Sequence, residues 1–322
     1  MLRTLAKDGK LAELSWMDRK KLSDDFGASL VRLGSYGGKL YGVYIKASNK
    51  SVIWYNPEEF AKNGWNTPTT WAELITLTDT IRESGKTPWS IGADIGWPTT
   101  DWIENIMAGS AGEDNYQKWI EHSIKWTDPA VKEAFEIWGQ IVSNPNNLYG
   151  GVDGTLSSKF QDASYVLYQD PPKAYLYYEG DFMGGIVKAQ IPSAEFGTNM
   201  DFFAFPKIKD KSCVVGGADV IVAFNKSKAV QDFIKKLSSA EVQSVGAKHG
   251  FMAANKKVDP SVYPDKTLQK SATFLANSDV FVFDASDLMP PAVGNQGGFW
   301  INQKNLFKSP KNSIVSLRTW KT

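Results

Sequence analysis

The chain has 322 residues, of which 42% are hydrophobic, so it is long enough to bury a sizeable core in one large or two ordinary domains. Its 36 basic residues are balanced by 35 acidic ones, and this net charge of +1 argues against nucleic acid as a partner. One cysteine, Cys213, excludes a disulfide framework, and two widely separated histidines, His122 and His249, argue against zinc. We therefore expect no metal and no cofactor, and we interpret Cys213 as a small core residue.

The N-terminal region predicts a short helical segment followed by irregular chain. Residues 2–14 have helical spacing of apolar side chains, with Gly9 a candidate end. Residues 15–39 indicate loop and short helix, leading to a strand at residues 39–44. The start is amphipathic and lacks the apolar block of a secretory signal, and no apolar run approaches the ~20 residues of a membrane span.

Residues 51–55, Ser-Val-Ile-Trp-Tyr, predict a buried strand, because β-branched and aromatic residues crowd it and Asn56-Pro57 ends it. A compact helix follows and ends at Gly64. A second helix is predicted after Thr70-Trp-Ala-Glu73, which has the spacing of a capping box, and Gly85 ends it.

The middle of the chain predicts mainly helices. Asp128-Pro129 provides an N-cap oxygen and a proline at the first helical position. Around it we predict a strand at residues 90–93, helices at residues 101–108 and 115–122 separated by Gly112, and loop at residues 143–155.

Strands and helices alternate in the last part, which is typical of an α/β domain. We predict strands at residues 165–168, 173–178, 202–205 and 220–224, the last entered through a glycine turn at residues 216–219, and helices at residues 229–237, 238–249 and 313–322.

Residues 40–74, LYGVYIKASNKSVIWYNPEEFAKNGWNTPTTWAEL, resemble the signature region of the extracellular solute-binding proteins of ABC sugar importers, the family of the maltodextrin-binding protein. The Gly-Gly strand at residues 216–224, the segment HGFMAANKKV and the segments FDASDLMPPAVG and GFW are also similar to parts of that family. The sequences of the last two segments, FDASDLMPPAVG and GFW, resemble the α-glucoside-binding branch of the family more than the maltodextrin-binding protein. The resemblance covers nearly the whole chain.

The resemblance implies a two-lobed α/β fold of the class II periplasmic-binding-protein kind, in which the chain crosses between lobes at residues 40–60, 216–222 and 282–287. It places residues 1–54 and 218–283 in lobe 1 and residues 55–217 and 284–322 in lobe 2. Residues 1–14 resemble a helix well inside the family's first lobe. We therefore expect that the chain lacks the usual N-terminal portion and that lobe 1 is incomplete.

The implied function is capture of an oligosaccharide, in particular an α-glucoside, in the cleft between the lobes, with delivery to the transmembrane permease by hinge closure. The resemblance also implies an extracytoplasmic location, in the periplasm or as a cell-surface lipoprotein, and a monomer.

A sugar site needs flat rings against the C–H faces of the sugar and fixed donors and acceptors for its hydroxyl groups. For most aromatic residues here core packing is the better interpretation, but position in the family pattern favours a few. The resemblance implies sugar stacking by Trp300, Phe182 and Trp97, where Phe182 replaces a common tryptophan and loses its indole donor.

The same resemblance implies polar ligand-binding roles for Asn49, Asp101, Asp219, Asp284 and Asp287. Alternative interpretations stay open: Asn49 as a turn residue, Asp101 as a helix N-cap and Asp219 as part of a charge pair. Glu179 and Asp181, on either side of Gly180, are further candidates.

Catalysis is not indicated. No acidic pair lies in a hydrolase-like motif, neither histidine accompanies a nucleophile elbow, and there is no GxxxxGK[ST] loop. The alternatives to a transport protein are a glycoside-active enzyme and a truncated interaction protein that does not transport.

Overall fold

The computed structural model of the chain describes residues 2–249, 251–277, 280–294 and 298–308. In chain order, the strands are β1 (Ser35–Tyr36), β2 (Lys39–Leu40), β3 (Gly42–Asn49), β4 (Val52–Tyr55), β5 (Tyr177–Glu179), β6 (Asp201–Ala204), β7 (Cys213–Val222) and β8 (Val280–Phe283). The α-helices are α1 (Leu2–Lys7), α2 (Arg19–Phe26), α3 (Ala28–Leu33), α4 (Pro57–Asn63), α5 (Trp71–Glu83), α6 (Trp97–Ile120), α7 (Pro129–Val142), α8 (Gly151–Ser157), α9 (Phe160–Tyr165), α10 (Met183–Gln190), α11 (Lys228–Leu237), α12 (Ala240–Lys248), α13 (Lys266–Asn277), α14 (Ala285–Leu288), α15 (Pro291–Gly294), α16 (Phe299–Asn302) and α17 (Lys304–Lys308). Within these residues, none of the helices combines the length and the apolar character needed to cross a lipid bilayer.

The chain forms two compact units. Unit 1 comprises Met1–Ser48 and Gly216–Ala276, and unit 2 comprises Asn49–Val215 and Asn277–Thr322. The predicted lobes alternate along the chain in the same order as these units. Each predicted boundary lies a few residues C-terminal to the boundary between the units. Strand β3 ends at Asn49, the first residue of unit 2, and β7 continues from unit 2 into unit 1.

Unit 2 contains an antiparallel sheet in the order β5-β4-β6. Its centre is β4, the predicted strand, in which Val52, Ile53 and Trp54 are buried. Ile53 lies opposite Tyr178 on one side and Phe203 on the other. The apolar, β-branched character of β4 is therefore explained by neighbours on both edges and both faces.

Aromatic rings fill the core of unit 2 beside this sheet. Trp102 of α6 is fully buried and has ring contacts with Trp89 at 5.0 Å, with Tyr178 at 4.4 Å and with Phe205 at 5.9 Å between centroids. Because these rings come from α6, from the sheet and from the segments beside it, the packing fixes the start of α6 relative to β4 and β5.

Two predicted helix starts are confirmed. Asn56 accepts hydrogen bonds from the Glu58 and Glu59 amides at the start of α4, next to Pro57. Thr70 and Glu73 form the reciprocal capping box of α5. Each cap satisfies backbone N–H groups that have no partner within the helix.

The start of α7 and the break in α6 are also as predicted. Asp128 accepts from the Ala130 amide before α7. Gly112 has φ 80° and ψ 170° and interrupts α6. The helix nevertheless begins at Trp97, earlier than predicted, because Gly96 is its N-cap and Pro98 lies in its first turn.

Several local predictions are wrong. Residues 8–14 are not helical, since α1 ends at Lys7 and Gly9 has φ 67°. Residues 90–93 form no strand, and residues 165–168 end α9 and form a 3₁₀ turn. Residues 143–155, predicted as loop, contain a 3₁₀ turn and most of α8, and β5 covers only Tyr177–Glu179. The secondary structure of short apolar or glycine-rich runs depends more on tertiary contacts than on the local sequence pattern.

In unit 1, α11 and α12 follow β7 as predicted, although α12 is capped by Ser239 instead of Ser238. His249 is the C-cap of α12, while Gly250 lies outside the described residues. The predicted closing helix at residues 313–322 also lies outside them.

Candidate functional site

The segment Asn49-Lys50-Ser51 of unit 2 is the centre of a network of buried polar groups. The Ser51 hydroxyl donates to Asn105 Oδ1 at 2.6 Å and accepts from the Val215 amide at 2.8 Å. The hydroxyl group of Tyr178 donates to the Lys50 carbonyl oxygen at 2.6 Å. These bonds hold the backbone on both sides of Lys50 and direct its side chain into unit 2.

The Lys50 ammonium lies among carboxyl groups. Its Nζ is 2.5 Å from Asp284 Oδ2 and 3.3 Å from Asp101 Oδ2, and the three side chains are 14%, 3% and 0% exposed. Burial alone would lower the pKa of Lys50, but the charges of Asp101 and Asp284 raise it well above its usual value. The neighbouring carboxylates therefore favour the protonated, cationic form of Lys50.

One cation can neutralise only one carboxylate, so burial favours the protonated form of the other acids in the cluster. Burial opposes ionisation of Asp284, yet the charge and hydrogen bond of Lys50 lower its pKa below the usual value. Burial raises the pKa of Asp101 to about 8 and raises that of Glu104 and Glu179 well above the usual range, with further contributions from neighbouring carboxylates. The arrangement favours a Lys50–Asp284 ion pair surrounded by protonated carboxyls.

Asp284 also begins a hydrogen-bonded path to Trp300. Asp284 Oδ1 accepts from the Ser286 hydroxyl at 2.8 Å and from the Asp287 amide at 3.1 Å, so it caps α14. Ser286 Oγ in turn accepts from Trp300 Nε1 at 3.0 Å. Every donor on this path faces an acceptor, and the indole is thereby tied to the ion pair.

The Trp97 ring lies on the other side of Lys50. Lys50 Nζ is 5.0 Å from its ring centroid, within the range of a cation–π contact. Trp97 also contacts Phe160 at 5.0 Å and Phe182 at 6.4 Å between centroids. Trp97, Phe182 and Trp300 are each half-buried.

The segments of Trp97 and Trp300 meet directly. A Cβ on Gly96 would overlap the Trp300 backbone carbonyl, so only glycine permits this approach. Gln303 Nε2 donates to the Gly96 carbonyl at 2.8 Å and to the Trp300 carbonyl at 3.1 Å. The three aromatic residues predicted from the resemblance are thus brought to one region of unit 2.

The predicted polar residues are distributed differently. Asn49 is fully buried, with Oδ1 accepting from the Ser51 amide at 2.8 Å and Nδ2 lacking a protein partner. Its backbone amide donates to Asp181 Oδ2 at 3.2 Å. Asp287 is exposed on α14. Asn49 therefore combines a turn-like contact with a free donor.

Asp101 and Asp284 are both enclosed beside Lys50, as described above. The alternative interpretation of Asp101 as an N-cap is wrong, because α6 begins at Trp97 and Asp101 is inside it. Asp219 belongs to unit 1, where its side chain is 71% exposed and lies 3.6 Å from Lys46 Nζ. Asp219 thus has a charged neighbour of the kind that the alternative interpretation expects.

Asp101, Glu104 and Asp284 have carboxylate oxygens within 4.8 Å of one another, which is a spacing compatible with metal coordination. Glu104 already accepts from the Ala285 and Ser286 amides at 2.9 and 3.2 Å. With Lys50 Nζ bound to Asp284, the positive charge at this position is supplied by the protein.

Sequence reasoning missed Lys50, Ser286, Glu104 and Phe160. One signal for Lys50 was available. Side chains at alternate positions of an extended segment share a face, so Lys50 precedes Val52 and Trp54 on a face that the predicted strand buries. A lysine at such a position requires a buried acid, but its partners lie 51 and 234 positions away.

Comparison with known proteins gives consistent results. Residues 1–276 match the family model described as bacterial extracellular solute-binding protein. The chain is 34% identical over 309 residues to the osmoprotective compounds-binding protein GgtB of Synechocystis sp., covering 93% of this chain and 72% of that protein. It is 33% identical over 317 residues to the alpha-glucosides-binding periplasmic protein AglE of Rhizobium meliloti, covering 93% and 68%.

Among solved structures, the bacterial solute receptor AcbH superposes with a TM-score of 0.82 at 19% identity, covering 98% of this chain and 80% of that one. This likeness confirms the predicted periplasmic-binding-protein-like α/β fold.

Proposed function

Since this chain belongs to the bacterial extracellular solute-binding protein family, we propose that its ligand is an α-glucoside, which it delivers to the membrane permease of an ABC importer. The family and the named relatives are binding proteins and not enzymes, and family membership implies that the chain works outside the cytoplasm. The α-glucoside is supported by the likeness to AglE, whose name states that ligand. Hinge closure, a monomeric state and a periplasmic or lipoprotein form remain predictions from the family resemblance.

The observation that carries the proposal is the group of half-buried rings in unit 2. Trp97 and Phe182 lie 6.4 Å apart between centroids, and the segment of Trp300 contacts Gly96 next to Trp97. Such rings match the C–H faces of a pyranose. A neutral sugar cannot balance a charge in its binding site. Here it does not have to, because the nearby charges of Lys50 and Asp284 compensate each other.

In this proposal the predicted polar residues have separate roles. Asn49 Nδ2 is a buried donor without a protein partner and would reach a sugar hydroxyl through a bridging water. Exposed Asp287 provides an acceptor. Asp219 remains a proposed contact from unit 1. Asp101 and Asp284 support the site from inside, through Lys50.

A thermal-shift titration tests the proposal. Trehalose, maltose and sucrose are added in turn, with lactose as a β-galactoside control and sorbitol as a polyol control. A ligand that binds only the folded chain raises Tm with concentration according to RT ln(1 + [L]/Kd). We expect at least one α-glucoside to do so while sorbitol does not. If lactose alone raises Tm, or if none of the three α-glucosides does, the proposed ligand class is wrong.

A further inference from the structure

We propose that Lys50 is a positioning residue that holds the two tryptophans of the site, Trp97 and Trp300, in a fixed arrangement. This inference rests on the proposed function for its meaning in sugar binding, but its structural content can be tested without a sugar. Lys50 is 14% exposed, so its role is internal.

The first arm of the arrangement is the contact of Lys50 with Trp97. The ammonium lies 5.0 Å from the ring centroid, and its low exposure increases the electrostatic attraction to the ring face. Phe160 packs against the same indole with an interplanar angle of 62°. The lysine and the phenylalanine together restrict rotation of Trp97.

The second arm leads from Lys50 to Trp300 through two side chains. Lys50 Nζ donates to Asp284 Oδ2, while Asp284 Oδ1 accepts from Ser286, and Ser286 accepts from Trp300 Nε1. The bonds measure 2.5, 2.8 and 3.0 Å, and Asp284 and Ser286 are 2% and 1% exposed. A serine hydroxyl has one proton, and here it goes to the carboxylate, which leaves the oxygen as an acceptor for the indole.

The two arms share one cation, so a change at Lys50 affects both rings. Loss of the ammonium would leave Asp284 buried without its counter-charge, and Asp284 would then take up a proton or move. Either response alters the acceptor to which Ser286 donates, and with it the hydrogen bond to Trp300. Stacking on a sugar depends on the relative orientation of the rings, so Lys50 contributes to affinity without touching the ligand.

Ser286→Ala is the mild variant that tests the second arm. It removes the hydroxyl between Asp284 and Trp300 and leaves the ion pair intact. Ser238→Ala is the matched control, because Ser238 is a buried serine of unit 1 whose hydroxyl donates to the Lys235 carbonyl at 3.0 Å. Lys50→Met removes the shared cation, and Lys50→Arg keeps the charge.

Two readouts are measured for each variant. The first is the near-UV circular dichroism contribution of Trp300 without sugar, obtained as the difference between each variant and the same variant carrying Trp300→Phe. The second is the affinity for trehalose, maltose and sucrose by calorimetry. We expect Ser286→Ala and Lys50→Met to change the Trp300 contribution, and Ser286→Ala to weaken sugar binding about 3- to 10-fold, as for loss of one hydrogen bond. Lys50→Arg restores both readouts and Ser238→Ala leaves both unchanged.

The outcomes separate this inference from the proposed function. If the unmodified chain binds none of the sugars and the Trp300 contribution still changes in Ser286→Ala and Lys50→Met, the proposed function fails and the positioning role stands. If sugar binds and both variants retain the affinity and the Trp300 contribution of the unmodified chain, the positioning role is overturned. If Lys50→Met does not fold, Ser286→Ala against Ser238→Ala decides the question.

Discussion

Lys50 shows how a single residue can determine the electrostatics of a site. Its positive charge is held inside unit 2 beside Asp284 and Asp101, and Glu104 and Glu179 complete the cluster. Because one ammonium supports one carboxylate, the pKa of Asp284 is lowered while burial raises the pKa of the others. The nearby rings of Trp97, Phe182 and Trp300 are neutral, and we propose that these rings, and not the buried charges, contact the sugar.

Trp300→Ala is expected to weaken sugar binding by about 10-fold or more, because a stacked ring contributes both buried area and a specific geometry. Trp300→Phe keeps a ring but loses the indole donor to Ser286. Its affinity should lie between that of the unmodified chain and that of Trp300→Ala. Calorimetry with the sugar that gives a thermal shift measures both. Equal affinity in all three proteins would show that Trp300 does not contribute to sugar binding.

The raised pKa of Asp101 predicts a pH dependence of stability. An ordinary aspartate has a pKa near ~3.9, whereas burial raises that of Asp101 to about 8 in the folded chain. Between these values the folded chain holds a proton that the unfolded chain has released, so the free energy of unfolding decreases as pH rises through this window. Urea unfolding at pH 5, 6, 7 and 8 measures the slope.

Asp101→Asn is the control for this effect, since an amide stays neutral at every pH. The variant should unfold with a flatter pH dependence over the same window. An identical slope in the two proteins would show that Asp101 is ionised in the folded state.

At the scale of elements, caps and breaks were the most predictable features of the chain. Thr70 and Glu73 signal the start of α5, Asp128 with Pro129 signals α7, and Gly112 signals the break in α6. These signals are local, because a cap satisfies backbone groups within three residues of itself. They could therefore be read from the sequence without the rest of the fold.

Short elements without such signals were predicted poorly. Residues 165–168, Tyr-Val-Leu-Tyr, have strand propensity but form a 3₁₀ turn that buries Val166 and Leu167. The helix α8 begins at two glycines with positive φ, Gly150 and Gly151, which local pattern assigns to loop. In both cases packing against the core of unit 2 outweighs local preference.

The residues of the candidate site also differ in how far the sequence could predict them. The prediction of Trp97, Phe182 and Trp300 came from the resemblance, because composition alone does not single out these positions. Lys50 and Ser286 were missed because their importance comes from pairings across the chain, such as Lys50 with Asp284, 234 positions apart. Such a pairing leaves no local pattern in the sequence.

The capping box of α5 gives a prediction at this scale. Thr70→Ala removes the oxygen that accepts from the Glu73 amide, and we expect the free energy of unfolding to fall by about 1 kcal/mol. Thr76→Ala is the control, because Thr76 is exposed within α5 and donates only to the Ala72 carbonyl. Denaturant unfolding compares the two. If both variants lose the same stability, the cap does not contribute as proposed.

At the scale of the whole molecule, the composition agrees with a neutral ligand. The 36 basic and 35 acidic residues nearly cancel, so long-range attraction of a charged partner is weak. Many aromatic residues are buried in the core, as with Trp54, Trp89 and Trp102, whereas Trp97, Phe182 and Trp300 are half-buried. We propose that sugar binding depends on these three rings.

Calorimetric titration of trehalose, maltose and sucrose into the chain and into the double variant Trp97→Ala/Trp300→Ala tests the central claim most directly. We predict saturable binding of at least one of these α-glucosides to the unmodified chain, and at least ~100-fold weaker binding to the double variant, as expected when two stacking rings are lost. Circular dichroism of the double variant would verify that it is folded. No binding by the unmodified chain, or equal binding by a folded double variant, would contradict the account.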